Sequence, residues 1–573
     1  MKTVKSSLSW LMALGLAGLM ILFPPSLRLQ QTAWTQVDLP PNPDPPLFKN
    51  PQAASFLAEL SQTYRKFGLE AARILAQQRR IAVGTEGVEI LAEAQPALAA
   101  SGLTMNSQLA DTAALALQFN IEQLGGRVLN SNRGWVEAVI PYSALDSLFL
   151  SPSLRYVRSP LRPVPQAVTS EGVQRVGAVA WQSQPSFHGT DPVKVCILDG
   201  GFEGYRSLLG NELPSQDMVT VRSFRSDGDI EAGSEHGAAC AEIVHDLAPD
   251  AQLYLVNFAN NLDQARAVDW LVNQNIQVIS YSIGWFDAGA GDGSGPICED
   301  VEAAAAAGII WAGSAGNYAI DHWRGTFSDP DGDGWNNFSG SDELLEFDVP
   351  ANDPLGVFLN WDDWGTWNGY FYSGSHQDYD LYLYRWNSAL NVWEFVACSI
   401  DPQNGGQWPV EELYYYQAPV STKWGVAIYK SSATRNCKLE LFLDRSGNVP
   451  CEYNVPEGSI SVPADAVSHV TAGATDWSDD SYHYYSSRGP THDGRLKPIF
   501  AAPSGVSTRT YGPRNFYGTS ASAPHVAGVF ALLLSKTPYS GQDILNLLLS
   551  RAVDLGPAGP DYQFGYGRLN MTR

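Results

Sequence analysis

Residues 193–201 read VKVCILDGG, an unbroken apolar run that stops at an acid and two glycines. A strand covered by helices on both faces has this continuous pattern, and open α/β sheets gather their sites at the carboxyl ends of such strands. Three further runs share it: AQLYLVNF (251–258), IQVISYSIGW (276–285) and GIIWAGSAGN (308–317). Helical segments, LDQARAVDWLVNQN (262–275) and ICEDVEAAAAAG (297–308), separate them. Strand and helix alternating at this spacing predict a doubly wound parallel sheet.

Outward from this core the pattern changes twice. From 325 to 455 short alternating strands rich in Trp and Tyr appear, among them LLEFDVP (344–350), YDLYLYRW (379–386) and CKLELFLD (437–444). They predict an all-β sandwich or jelly roll, inserted rather than appended, because α/β character resumes at HVTAGATD (469–476). Upstream, one amphipathic helix over 54–80 precedes a β-α-β-β-α-β order running to LRYVRSP (154–160), a small α+β unit of the split βαβ type. A proline-rich linker, LPPNPDPPLFKN (39–50), comes before it. The expected domains are therefore an export signal over 1–30, a linker and N-terminal unit over 31–165, an α/β domain over 170–324 and 456–573, and the insertion over 325–455.

The first segment carries two lysines and then a 16-residue mostly apolar run, Leu8–Phe23. That is short for a membrane span, so a secreted protein is expected, with membrane attachment only if the signal stays uncleaved as an anchor. Acidic residues number 60 against 36 basic ones, a formal charge of −24, which argues against nucleic acid and anionic lipid as partners. Six cysteines suit an oxidising compartment; Cys398, Cys437 and Cys451 lie in one region where a pair could form, whereas Cys196 reads as an apolar filler inside its strand.

Four apolar segments end in polar residues: Asp199, His236 opening a helix, Asn317, and Ser520 in FYGTSASAPHVAGVFALLL (516–534). Gly518 and Thr519 make a tight turn into an apolar helix, so Ser520 stands at a helix N-terminus, where unpaired N–H groups and the dipole favour an oxyanion. A serine hydroxyl needs a base to take its proton and a third group to fix that base. His236 sits beside Gly237, which admits another backbone. His245, nine residues on, is on the opposite face of the same helix.

The order Asp, His, Asn, Ser, with GTSASAPHVAG (518–528) around the serine, resembles the subtilisin-like serine protease family over about 170–320 and 455–570. The resemblance implies Ser520 as nucleophile, His236 as general base and acid, Asp199 as the orienting carboxylate and Asn317 as oxyanion donor. It makes Ser282, Ile283 and Gly284 the strand that pairs with substrate, and it lines the same cleft with Ser314, Ala315 and Gly316. SSRGP (486–490) and RLKPIFAAPSGV (495–506) match framework segments. The chain departs from the family at Asp199-Gly200-Gly201, usually Asp-Ser/Thr-Gly, and at His236-Gly237-Ala238-Ala239, usually His-Gly-Thr-His. By the same resemblance the fold is a subtilisin-like doubly wound sheet, and the N-terminal unit is similar to the family's propeptides, with a junction between about 155 and 180; a permanent N-terminal domain is the alternative. WDDW (361–364) and DYDLYLY (378–384) give the insertion a likeness to pre-peptidase C-terminal β domains.

The implied protein is a secreted serine endopeptidase made as a proenzyme, a monomer acting on proteins or peptides, with no cofactor needed for the chemistry. SDPDGDGWNN (328–337) places Asp329, Asp331 and Asp333 at alternate positions, spacing that suits Ca²⁺ as a structural ion. Gly340 stands at the twelfth position, where Asp342 or Glu343 would have to substitute. Asp362, Asp378 and Asp380 are candidates for a second cation. His525 lies five residues beyond Ser520 and reads as structural, and Asp476, Asp479 and Asp480 read as surface charge. The rival functions are an inactive protease fold displaying its sandwich for adhesion, and a sedolisin-type peptidase with a Glu base and an oxyanion Asp. His236 and Asn317 argue against the latter.

Overall fold

The computed structural model describes residues 50–78, 87–95, 107–160, 164–165, 170–189 and 191–572. The expected signal and most of the linker lie outside them. Among the described residues no helix is long and apolar enough to cross a membrane.

The N-terminal unit runs α1 (Ser55–Gln78), β1 (Val88–Ala94), α2 (Ser107–Gln123), β2 (Arg127–Asn132), β3 (Trp135–Ile140), α3 (Leu145–Phe149) and β4 (Leu154–Arg158). Its sheet has the order β2-β3-β1-β4 and covers a core of Leu57, Ile90, Leu117, Val136 and Leu145. The expected single helix over 54–80 is instead broken at Gly68, which takes φ +83°. That left-handed conformation interrupts the helical ladder, and only glycine adopts it freely. Beyond β4, β5 (Val164–Pro165) leaves this unit altogether.

The α/β part begins with the one-turn helices α4 (Gly172–Arg175) and α5 (Val179–Gln182), then β6 (Lys194–Asp199), β7 (Val219–Ser223), α6 (His236–Leu247), β8 (Gln252–Asn257), α7 (Asn261–Val272), β9 (Val278–Tyr281), β10 (Ile283–Gly284), α8 (Pro296–Ala306) and β11 (Ile310–Ser314). The insertion follows as β12 (His322–Thr326), β13 (Leu345–Val349), β14 (Leu355–Trp361), β15 (Tyr379–Asn387), β16 (Val392–Ser399), β17 (Val410–Tyr416), β18 (Thr422–Lys430) and β19 (Lys438–Asp444). Its first strand starts at His322, slightly ahead of the expected boundary at 325. Two antiparallel sheets, β12-β19-β14-β17 and β13-β18-β15-β16, enclose Phe347, Leu359, Trp361, Leu381, Trp424 and Leu441. The aromatic stripe of the sequence thus largely fills a core.

The chain then returns through β20 (His469–Asp476), β21 (Phe500–Ser504), β22 (Val506–Thr508), β23 (Gly512–Phe516), α9 (Thr519–Lys536) and α10 (Gly541–Arg551). The expected parallel sheet has seven strands, β21-β20-β11-β9-β6-β8-β7. The buried residues of α6 and α9 pack on one face, and those of α7 and α8 on the other. Covering both faces is why its strands read as continuous apolar runs.

Two expectations fail for local reasons. All six cysteines are free thiols, and Cys437 and Cys451 are small fillers of the sandwich core rather than a bridge. Asp480 is no loose surface charge: its carboxylate receives Arg175 at 2.6 Å and Arg568 at 2.8 Å, tying the start of the α/β part to its end.

Candidate active site

β6 ends at Asp199 and α6 begins at His236, and the two side chains meet at that shared edge of the sheet. The Asp199 carboxylate lies 2.8 Å from Nδ1 of His236, with both residues almost wholly buried. A carboxylate there accepts Nδ1–H and leaves Nε2 with its lone pair. The close approach depends on Gly237, whose N–H donates to Gly201 O at 3.0 Å. A Cβ at residue 237 would stand 2.6 Å from that oxygen and 2.8 Å from Asp199 Cβ. His245, at the other end of α6, is half-buried with its basicity lowered by burial and lies among Asp250 and Glu212, away from this pair.

Ser520 is the second residue of α9, inside the first turn, whose N–H groups lack intrahelical acceptors. Gly518 (φ +118°) turns the chain into the helix, and its N–H is held by Tyr485 Oη at 2.8 Å and Ser504 Oγ at 2.9 Å. Pro524 stands inside the helix, not at its tolerant first turn, and so donates nothing to the carbonyl four residues back. That carbonyl belongs to Ser520. It accepts Ser282 Oγ–H at 2.9 Å instead, and Cys240 Sγ at 3.8 Å. In return Ser520 Oγ lies 3.3 Å from Ser282 O.

Asn317 is aimed by the same turn. Its Oδ1 accepts from Thr519 N at 2.9 Å and from Thr519 Oγ at 3.0 Å. With the oxygen so engaged, the amide –NH₂ is the end left to donate. Gly316, before it, has φ +109°, and a Cβ there would meet Ser487 Oγ at 2.7 Å. Ser487 belongs to SSRGP, which therefore braces the Asn317 turn, donating to Gly316 O at 2.8 Å and accepting from Tyr318 N at 3.0 Å. Ser314 and Ala315 are buried beside it at the end of β11.

The strand β10 is engaged by the chain itself. Ile283 pairs with Pro165 and Gly284 with Val164, antiparallel. His525 stays structural: its Nδ1 donates to Ala521 O at 2.7 Å, Ser170 Oγ lies 3.3 Å from Nε2, and burial lowers its pKa to about 4.

Sequence reasoning passed over three contributors. Thr519 orients Asn317, and the signal was a hydroxyl next to the serine. Pro524 frees the Ser520 carbonyl, visible as a proline four positions on. Cys240, one turn after His236, has its sulfur within 4.8 Å of the Asp199 and His236 donor atoms, and burial holds its thiol far above the usual range.

The subtilase family model matches residues 190–351 and 430–567, more than half of the chain. The chain belongs to the subtilase family. The stretch between the two matches falls inside the sandwich, so the insertion interrupts the subtilase sequence as well as its fold. This subtilase is similar to the extracellular serine protease of Serratia marcescens, 46% identical over 166 residues that cover 24% of this chain and 16% of that protein. It is similar to the calcium-dependent protease of a Nostoc species, 26% identical over 227 residues, 35% of this chain and 34% of that one. Subtilisin DY of Bacillus licheniformis is 37% identical over 120 residues, 20% of this chain and 40% of the relative. The matches span less than half the length of each relative.

The acidic loop lies apart from this site. Asp329, Asp331 and Asp333 offer oxygens within 4.8 Å of one another. Asp329 is wrapped by its own loop, accepting from Gly332 N at 2.6 Å and Gly334 N at 3.0 Å. Glu343 closes on the group; burial and then the charges of Asp333 and Asp331 push its pKa up to about 7. Asp342 instead takes Tyr453 Oη–H at 2.6 Å. Of the second trio, Asp362 pairs with Arg435 at 2.7 Å and Asp378 with Ser432 at 3.0 Å, and among the described residues Asp362, Asp378 and Asp380 do not gather within 4.8 Å as the first trio does.

Proposed function

We propose that this subtilase is a secreted serine endopeptidase, made as a proenzyme, that cleaves proteins or peptides through an acyl-enzyme on Ser520. The observation that carries the reading is the Asp199 carboxylate 2.8 Å from His236 Nδ1, joined through Cys240, whose sulfur lies 3.8 Å from Ser520 O, to a serine in the first turn of a helix. Ser520 Oγ attacks the peptide carbonyl while His236 Nε2 takes its proton. The oxyanion is received by Asn317 Nδ2–H and the Ser520 N–H. Collapse expels the amine, protonated by His236, and water repeats the sequence on the ester. Asp199 holds the imidazole in the tautomer both steps need.

The proenzyme reading rests on β5. Val164 and Pro165 occupy the edge of β10 that a substrate would take, with Pro165 on Ile283, next to Ser282, whose carbonyl lies 3.3 Å from Ser520 Oγ. Ser170 already belongs to the α/β body through Ser507 and His525. The bond to be cut would therefore lie between Pro165 and Ser170.

Residues Asp329, Asp331, Asp333 and Glu343 suit a hard cation such as Ca²⁺: the first three offer oxygens within 4.8 Å of one another, Glu343 feels their charge, none of the four forms an ion pair among the described residues, and Asp329 is oriented by its own loop amides. A bound ion would supply the missing positive charge and pin this corner of the sandwich.

Fluorophosphonate labelling with N-terminal sequencing of the exported product tests the main reading. A label on Ser520 and a new N-terminus between 166 and 170 are expected. Label on a Ser520→Ala chain, or none on a processed wild-type chain, would overturn it.

A further inference from the structure

The N-terminal unit is gripped on a second side, by the insertion. Arg158, the last residue of β4, is buried and sends Nη2 to both carboxylate oxygens of Glu412 on β17, at 2.5 Å each. Tyr414 Oη lies 3.5 Å from the same nitrogen, and the guanidinium stands 6.0 Å from the Trp408 ring centre. Residues 412 and 414 share one face of β17, as alternate residues of a strand do. Arg158, Glu412, Tyr414 and Trp408 line a cavity of about 250 Å³ between the N-terminal unit and the insertion.

A second acid waits nearby. Asp287 follows the pairing strand β10 by three residues and is 4% exposed. Its Oδ1 accepts from Asn360 at 3.2 Å, while among the described residues Oδ2 has no hydrogen-bond partner. Burial, and next the charge of Glu412, hold its carboxyl well above the usual range, while Arg158 opposes them. The peptide-pairing edge thus leads from Gly284 toward the acidic pocket that Glu412, Tyr414 and Trp408 of the insertion line, with the Asp287 carboxyl buried near enough to feel the charge of Glu412. The chain's own leader connects the two places, with Pro165 on Ile283 and Arg158, seven residues earlier, on Glu412.

Cutting the chain after Pro165 and losing the N-terminal unit would leave Glu412 without its cation and open Glu412, Tyr414 and Trp408 to solvent. A carboxylate that has lost its ion pair beside an indole is a ready receptor for a cation, and a planar guanidinium answers it better than an ammonium because it forks onto a carboxylate and stacks on an indole. We propose that in the processed enzyme this pocket is an exosite for protein substrates, taking an arginine about seven positions before the substrate residue that seats on Ile283. This rests on the proteolytic reading above and adds a selectivity that the insertion supplies.

Two quenched fluorescent peptides test it, one with the chain's own sequence from 156 to 171 and one with Gln replacing the arginine of position 158. Processed wild-type enzyme should cleave the arginine peptide with kcat/KM at least about tenfold higher, the gain residing mainly in KM. In Glu412→Gln the preference should shrink to about twofold; if that variant unfolds, Tyr414→Phe should give a smaller loss in the same direction. Binding of the labelled peptides is measured in parallel by anisotropy on a Ser520→Ala chain, cut by an added protease at a recognition sequence placed at 166–169 and freed of its N-terminal part. Absent hydrolysis with an intact binding preference would sink the catalytic reading alone. Equal binding and equal cleavage of the two peptides, or a preference that survives Glu412→Gln, would overturn the exosite.

Discussion

In the parallel sheet, polar residues stand at strand and helix ends and are held by partners far away in sequence: Asp199 by His236, Asn317 by Thr519, Ser282 by Ser520. In the sandwich, acids stand along strand faces and in loops, and what they hold is the structure around them. Glu440 on β19 joins His322 at 3.2 Å to His492 of the α/β part at 2.8 Å. The difference follows from geometry. Strands of a parallel sheet all finish at one edge, so groups from distant segments converge there. An antiparallel sandwich sends strand ends both ways, and its polar groups settle neighbours instead. Substitutions at the sheet edge should therefore move turnover and leave stability alone, and those in the sandwich should do the reverse.

The largest effect that sharpens this contrast is expected from Asn317→Ala. It should lower kcat by about 10²- to 10³-fold with a nearly unchanged melting temperature, the range being the one known for such a donor in subtilisin, a relative, not one obtained from this geometry. Steady-state kinetics beside a thermal melt reads both, and a collapsed melt with preserved turnover would break the comparison.

Next comes Glu440→Gln, expected to cost about 3 kcal/mol of stability because it removes the charge from a buried pair. Denaturant unfolding measures it. Its pH dependence has a definite sign. The carboxyl of Glu440 is depressed well below its ordinary 4.5 by His492 and His322, against its burial, so its contribution is complete above 4.5 and is lost as pH falls through the depressed value. His492 is raised above its ordinary 6.5 by Glu440, so its contribution is complete below 6.5 and is lost as pH rises through the raised value. The wild-type surplus over the variant should thus peak between 4.5 and 6.5.

A smaller effect is expected where the N-terminal unit rests on α7. Glu137 of β3 accepts Asn260 Nδ2–H at 2.5 Å, and burial, then the charges of Asp263 and Glu89, raise its pKa from 4.5 to about 8. A raised acid favours the protonated form in the docked state. Docking should therefore be strongest below 4.5 and weaken as pH climbs toward 8. Gel filtration of the cut chain across this range should show release increasing with pH, and Glu137→Gln should flatten the profile.

The smallest is calcium. Adding it should raise the melting temperature by a few degrees in wild type and not in Asp331→Asn. The gain should fade as pH drops below about 7, where Glu343 binds a proton that the ion must displace. A chelator that leaves both melts unchanged would remove the ion from the account.

Much of this was legible in the residues because the signals are local. VKVCILDGG shows a buried strand by its unbroken apolarity, and GTSASAPHVAG shows a serine on a helix start through Gly518 and the small residues after it. The kink at Gly68 was missed because helical periodicity continues across a glycine whatever its φ. The thiols of Cys437 and Cys451 went unpaired because proximity in sequence says nothing about where two side chains sit in a core. Asp480 read as surface charge because its partners, Arg175 and Arg568, lie hundreds of residues apart from each other.

By itself, then, the sequence determined the alternation of strand and helix, the interruption by a β unit, and the identities of Asp199, His236, Asn317 and Ser520 as the polar residues closing apolar runs. Those are properties of short segments, set by periodicity and by chain stiffness. Only the tertiary structure decided that Thr519 aims Asn317, that Pro524 frees a carbonyl for Ser282, and that Arg158 meets Glu412. Each of these joins segments whose separation along the chain carries no information, and it is packing that selects which buried polar groups must satisfy one another.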